Sequence, residues 1–275
     1  MKTAFKILPE EVLENNCHLL IEVGWEGISF LYYSKNPFKI EGLLIYQFEK
    51  NITAIDLANE LSVFFEEENL PSYLTANICY NFKEYSLMPT VLYKADLQDE
   101  ILNSIHAVNN TSAVFAEKLS IPDITLSYRV DRNILEVLNV QFPSAINNHT
   151  LALQLPMLYK NADSFYCIVY QNSIKVVLFI NHTLQITRFF DYNTPADVAY
   201  HLLNVCKQHH ISPKEITLTL TGFIDKKSNL YDDLYRYFLN VELQELSEEI
   251  TTTNAVAQYP DHFFSHLIQM AKCVS

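Results

Sequence analysis

The chain has 275 residues, 49% of them hydrophobic, and a formal net charge of −13. That length supports one large or two medium domains, and no run approaches the roughly 18 to 20 consecutive apolar residues of a membrane-spanning helix. So acidic a surface repels nucleic-acid phosphate and anionic membrane, so neither is expected as a direct partner.

The opening segment MKTAFKILPEEVLENN has no apolar signal core, and Cys17, Cys79, Cys167, Cys206 and Cys273 are scattered with no C-x-x-C spacing. Both features point to a reduced, cytoplasmic protein whose cysteines are mostly core residues. Glycine is scarce: only Gly24, Gly27, Gly42 and Gly222 occur, against an average usage of about 7%.

In chain order, residues 19–23, 28–33 and 40–48 read as three strands, with turns at 24–27 and at Asn36-Pro37. A helix over 53–68 and a strand over 75–80 complete a β-β-β-α-β unit. Residues 96–108 place Leu97, Ile101, Leu102 and Ile105 on one helical face, and 113–119 and 124–130 read as strands. Helical stretches are expected around 134–138 and 145–159. The second unit then begins near Asp163: strands over 164–170, 173–180 and 183–190, a helix over 194–209 and a strand over 215–220. A Tyr-rich helix follows at 230–239, then a strand at 241–246, a polar loop at 248–258 and a helical pattern from Pro260.

The two units share more than strand order. Laid without gaps, 53–81 matches 194–222 so that Thr53, Asp56, Ala58 and Leu61 meet Thr194, Asp197, Ala199 and Leu202. Each Thr precedes an Asp by three residues at the head of an apolar-periodic run, the spacing of a capping box. The expected architecture is α/β, with duplicated β-β-β-α-β halves of ribonuclease H-like, actin-like type. The first half covers 1–160 with an insertion at about 90–160, and the second covers 161–275.

That plan resembles the actin-like ATPase superfold of actin and hexokinase. The segments IEVGWEGISFLYYSK, IEGLLIYQF, YNFKEYSLMPTVLY and YPDHFFSHLIQMA resemble an uncharacterised bacterial family with that fold, domain of unknown function 3822, and the chain is also similar to pilus-assembly actin-like scaffolds. The resemblance implies phosphate-binding hairpins in each half and an adenosine platform in the second. It carries those roles onto Glu22, Gly24, Trp25 and Glu26, onto Gln171, Asn172 and Ser173, and onto Thr221 and Gly222. Against the family pattern, Glu22 replaces an aspartate, Trp25 is bulky, the second hairpin lacks acid and glycine, and Phe223 follows a single glycine. These departures remove a metal ligand, the phosphate loop and the base platform. The expectation is a non-catalytic binding or scaffold protein with a protein partner, no cofactor and no catalytic residues. The alternative is a divergent ATPase or sugar-kinase-like enzyme that binds Mg-ATP in the cleft between the halves, with Glu22 and Glu26 near the metal.

Other constellations are weaker. Cys206, His209 and His210 lie on one helical turn but suit a helix C-terminus, and His262 and His266 lack the glutamate of a zinc-protease helix. Asp232-Asp233 and Glu248-Glu249 do not pair for proton transfer. Tyr231, Tyr235, Tyr237 and Phe238 read first as core and second as a partner-binding patch.

Overall fold

The computed structural model describes residues 1–9, 17–159 and 163–275. The half-boundary expected at 160/161 and part of the polar lead, 10–16, fall outside them. Two compact units are present: Met1–Pro156 with Glu249–Gln258 and Met270–Ser275, and Met157–Glu248 with Tyr259–Gln269. The C-terminal stretch expected wholly in the second half is therefore shared out between them.

In the first unit, β1 (Lys2–Ile7), β2 (His18–Gly24), β3 (Gly27–Lys35) and β4 (Phe38–Gln47) precede α1 (Ala54–Glu67) and β5 (Thr75–Asn81). Then come β6 (Tyr85–Pro89), α2 (Gln98–Ile105), β7 (Ser112–Leu119) and β8 (Ile124–Asp131), and finally α3 (Arg132–Gln141), β9 (Ile146–His149) and α4 (Thr150–Leu158), of which the last two residues count with the second unit. The main sheet runs β1-β4-β3-β2-β5-β9. Every residue of β2 is buried, as a central strand covered on both faces requires.

The second unit repeats the core of that order. Its strands are β10 (Ser164–Val169), β11 (Ser173–Ile180) and β12 (Thr183–Asp191), then α5 (Pro195–Gln208), β13 (Thr217–Gly222), α6 (Asn229–Tyr237) and β14 (Asn240–Leu243). The sheet runs β12-β11-β10-β13-β14, antiparallel across the first two pairings and parallel across the last two. The run β4-β3-β2-β5-β9 has the same pattern of senses. β15 (Thr251–Thr252) adds in parallel to β4, and α7 (Ser265–Cys273) ends the chain.

The helix starts follow from their caps. Thr194 Oγ1 accepts from Asp197 N at 3.3 Å, and Asp197 Oδ2 accepts from Thr194 N at 2.8 Å, a complete capping box. Hydrogen bonds from the Asn193 and Thr194 amides hold the Asp197 carboxyl below its ordinary range. Thr53 accepts from Asp56 N at 3.2 Å but donates its hydroxyl to the Asp56 side chain, so the first box is only half made. Such caps contribute about 1 kcal/mol each. Below α5, the core gathers Val198, Leu202 and Val205 with Phe165, Cys167, Val176 and Leu218. The helix closes on His210 in the left-handed region (φ 55°) with Ile211 N bonded to Cys206 O at 2.9 Å, a Schellman ending rather than a frayed turn. Asn181 and His182, at φ 48° and 60°, make the tight β11–β12 hairpin.

The middle block differs from expectation. Residues 145–149, read as helical, include strand β9, and α3 packs on α1 as α6 packs on α5. Residues 132–156 thus supply the first unit with a strand beside β5 and with helical cover. What stands apart is the three-stranded sheet β6-β8-β7 with α2. Its buried anchor is Arg129, whose Nη1 donates to Ala107 O (3.2 Å) while Nη2 donates to Asp99 O (3.3 Å) and to Asn103 Oδ1 (2.6 Å). The Glu84 carboxylate lies 3.5 Å from Nη1. One side chain therefore ties α2 and the loop after it to β8.

Candidate functional site

The two hairpins that open the repeats are built alike. In the first, Gly24 pairs with Gly27 across the two-residue loop Trp25-Glu26, and Phe48 N donates to Glu26 O at 3.0 Å. In the second, Tyr170 N donates to Ser173 O at 2.9 Å across Gln171-Asn172, and Tyr192 N donates to Asn172 O at 2.9 Å. Each loop thus has its second carbonyl fastened by the backbone just beyond a later strand, β4 in the first unit and β12 in the second. Neither hairpin glycine has positive φ. They serve close approach instead: a Cβ on Gly27 would stand 2.3 Å from Tyr46 O, and one on Gly24 2.8 Å from Asn81 O.

Trp25 meets Phe82 edge to face at 5.2 Å and, with Glu84, Ser112, Arg129 and Asp131, lines a recess of about 50 Å³. Glu22 is buried at 5% exposure on β2, in register with Ser29 and Cys79. Gln171 is exposed and Asn172 half-buried, whereas Ser173 is buried.

Thr221 and Gly222 form the most tightly specified part of the candidate set. Thr221 Oγ1 lies 2.8 Å from His262 O, to which it donates, and 2.6 Å from Ser265 Oγ. His262 Nε2 reaches Ile224 O at 2.7 Å, so Nε2 carries the proton. Gly222 has φ +87°, and a Cβ there would stand 2.2 Å from Val169 O. Phe223 N donates to Val169 O at 2.8 Å. The stretch that the resemblance offers as an adenosine platform is the joint that fastens the C-terminal segment to the end of β13.

Sequence reasoning did not single out Lys175, which is completely buried on β11. Its Nζ lies 5.0 Å from the Phe189 ring centroid and 5.8 Å from that of Tyr170, an arrangement in which the ring quadrupoles favour the ammonium. The Tyr170 ring meets His266 edge-on at 5.7 Å. Burial first, and the Lys175 charge second, push the His266 imidazole down to about 3. Unfolded, the same group titrates near 6.5, so between those values the unfolded chain binds a proton that the folded chain refuses. Stability is therefore complete above about pH 6.5 and falls as pH drops toward 3, by up to about 1.4 kcal/mol per unit. Chemical denaturation at several pH values should show that slope, and His266→Gln should flatten it.

His149 Nδ1 accepts from Leu151 N at 3.1 Å and its Nε2 lies 3.2 Å from Phe82 O. Tyr231 and Tyr235 stack at 6.0 Å, with Tyr235 and Tyr237 exposed and Phe238 buried. Cys206 is a core residue. Among the described residues no group of three His, Cys, Asp or Glu is placed to hold a metal ion. No helix among them is long and apolar enough to cross a membrane.

Comparison with known proteins places the fold. A Bacteroides thetaiotaomicron protein of unknown function with an actin-like ATPase fold superposes with TM-score 0.74 at 19% identity, over 93% of this chain and 96% of that one. The PilM–PilN type IV pilus biogenesis complex matches at TM-score 0.63 and 12% identity, over 96% and 100% of the chains. The ethanolamine utilization protein EutJ of Carboxydothermus hydrogenoformans matches at 0.50 and 10%, over 96% and 92%. At such identities the likeness speaks for the fold alone. No curated protein matches the chain. The match to the family of proteins of unknown function DUF3822 spans residues 11–241. The chain belongs to the DUF3822 family, and its fold is the actin-like ATPase fold.

Proposed function

We propose that this protein is a non-catalytic member of the actin-like fold that acts as a binding or scaffold module for another protein. The observation that carries the reading is the Thr221-Gly222 joint. Its hydroxyl is committed to Ser265 and His262, and its glycine to the close approach of Val169, so the backbone there is engaged by the protein itself. The hairpins agree with it: the Trp25 indole stands against Phe82, and the second loop offers Gln171 and Asn172 in place of acid and glycine. A fold-mate in a pilus biogenesis complex, PilM with PilN, supports a protein as the partner class. The five cysteines are free thiols, four of them buried, which fits a reducing, cytoplasmic setting.

On this reading Glu22, Gly24, Trp25, Glu26, Gln171, Asn172 and Ser173 are structural descendants of a nucleotide site and need no Mg-ATP. The purified protein should release no phosphate from Mg-ATP above the level of a Glu22→Gln variant. Turnover that the Glu22→Gln variant loses would instead favour a divergent ATPase.

A further inference from the structure

Among the described residues β14 is the last strand of the second sheet and pairs only with β13. Gln244 N donates to Leu220 O at 2.9 Å, so in this parallel register the amides and carbonyls of Val241 and Leu243 point the other way, to the open edge. A groove of about 690 Å³ runs along that edge. Lys226, Tyr231, Met157, Leu158 and Gln269 are among its lining. β14 itself contributes Val241 to Leu243, followed by Gln244 and Glu245. The volume lies within the range of specific binding pockets, and backbone donors and acceptors along an open edge are a template for another strand.

Charge decides which strand. Val241 and Leu243 pack toward the α5–α6 core, while Glu242 and Glu245 are exposed in the groove, opposed by the single ammonium of Lys226. Glu248 and Glu249, also exposed, continue the acidic run. We propose that this groove docks an extended, basic segment of the partner protein, which joins the sheet as a sixth strand with its cationic side chains against Glu242 and Glu245. The proposal rests on the protein-binding reading above and names where the partner lies. Two carboxylates on an edge also discourage self-pairing, and the experiment separates that use from docking.

The probe is a capped hexapeptide alternating lysine with valine or threonine, with a twin in which every lysine is glutamate. Binding to the full chain is followed by fluorescence anisotropy, and amide exchange locates it. The lysine peptide should bind at least about tenfold tighter than its twin and slow exchange at Val241 and Leu243, and Glu242→Lys with Glu245→Lys should erase that preference. Both glutamates are exposed, so the double variant keeps the fold, which its circular dichroism checks. Equal or absent binding of the two peptides, protection that falls outside β14, or a free protein already dimeric through this edge would each overturn the proposal. Mg-ATP turnover in the same preparation would sink the non-catalytic reading by itself, while peptide silence without turnover would remove only the groove.

Discussion

Gly222→Ala is expected to destabilise the protein by roughly 3 kcal/mol or more, since it adds a disfavoured left-handed φ to a clash that nothing nearby relieves. The residue sits at φ +87°, and the new Cβ would stand 2.2 Å from Val169 O and 3.0 Å from Val169 C, all backbone of the central strand β10. Backbone in the middle of a sheet cannot step aside as a side-chain end can. Relief requires β13 to peel from β10 at its end, which also moves Thr221, the donor to His262 O. Urea denaturation should register the loss. Exchange of the α7 amides should rise before that of β11, because the joint fails first.

Arg129→Ala is the second large effect, at about 3 kcal/mol, since it leaves several acceptors without their donor. The acceptors are Ala107 O, Asp99 O and the Asn103 side chain, and Glu84 loses its ion-pair partner as well. The damage should stay within β6, α2, β7 and β8. Amide exchange should therefore quicken across that small sheet and α2 while α5 and β13 keep their protection. Uniform loss of protection over both units would show that the small sheet is not an independent cooperative element.

Much of the fold was legible because the sequence states it twice. Thr53 and Thr194 mark the same point in each unit, and the apolar stripes of α1 and α5 run in step from there. The strands that reading missed lack the signals on which it depends. β9 is Ile-Asn-Asn-His, two asparagines in four residues, and it holds its place only by pairing with β5. β6 ends in Pro89, and β1 carries Lys2, Thr3 and Lys6 among its six residues at a sheet edge.

The candidate residues were legible as positions but not as environments. Resemblance pointed to Thr221 and Gly222, yet only the fold brings Ser265, more than forty positions away, to the Thr221 hydroxyl. Lys175 gave no sequence signal at all, because one lysine near the start of the apolar strand SIKVVLFI reads as a solvated strand end. Its burial against Tyr170 and Phe189 is tertiary information. His266 stands out in the sequence by its spacing from His262; what sets its chemistry is burial first and the Lys175 charge second.

The central claim is that the nucleotide loops of this fold have become structure. Isothermal titration of the purified protein with Mg-ATP and Mg-ADP, with thermal shift alongside, tests it most directly. The account predicts no heat of binding and no shift in melting temperature up to roughly millimolar nucleotide, a ceiling that corresponds to a binding free energy weaker than about −4 kcal/mol. Saturable binding at micromolar or tighter, weakened by Glu22→Gln, would contradict it and return the hairpins to a working phosphate site.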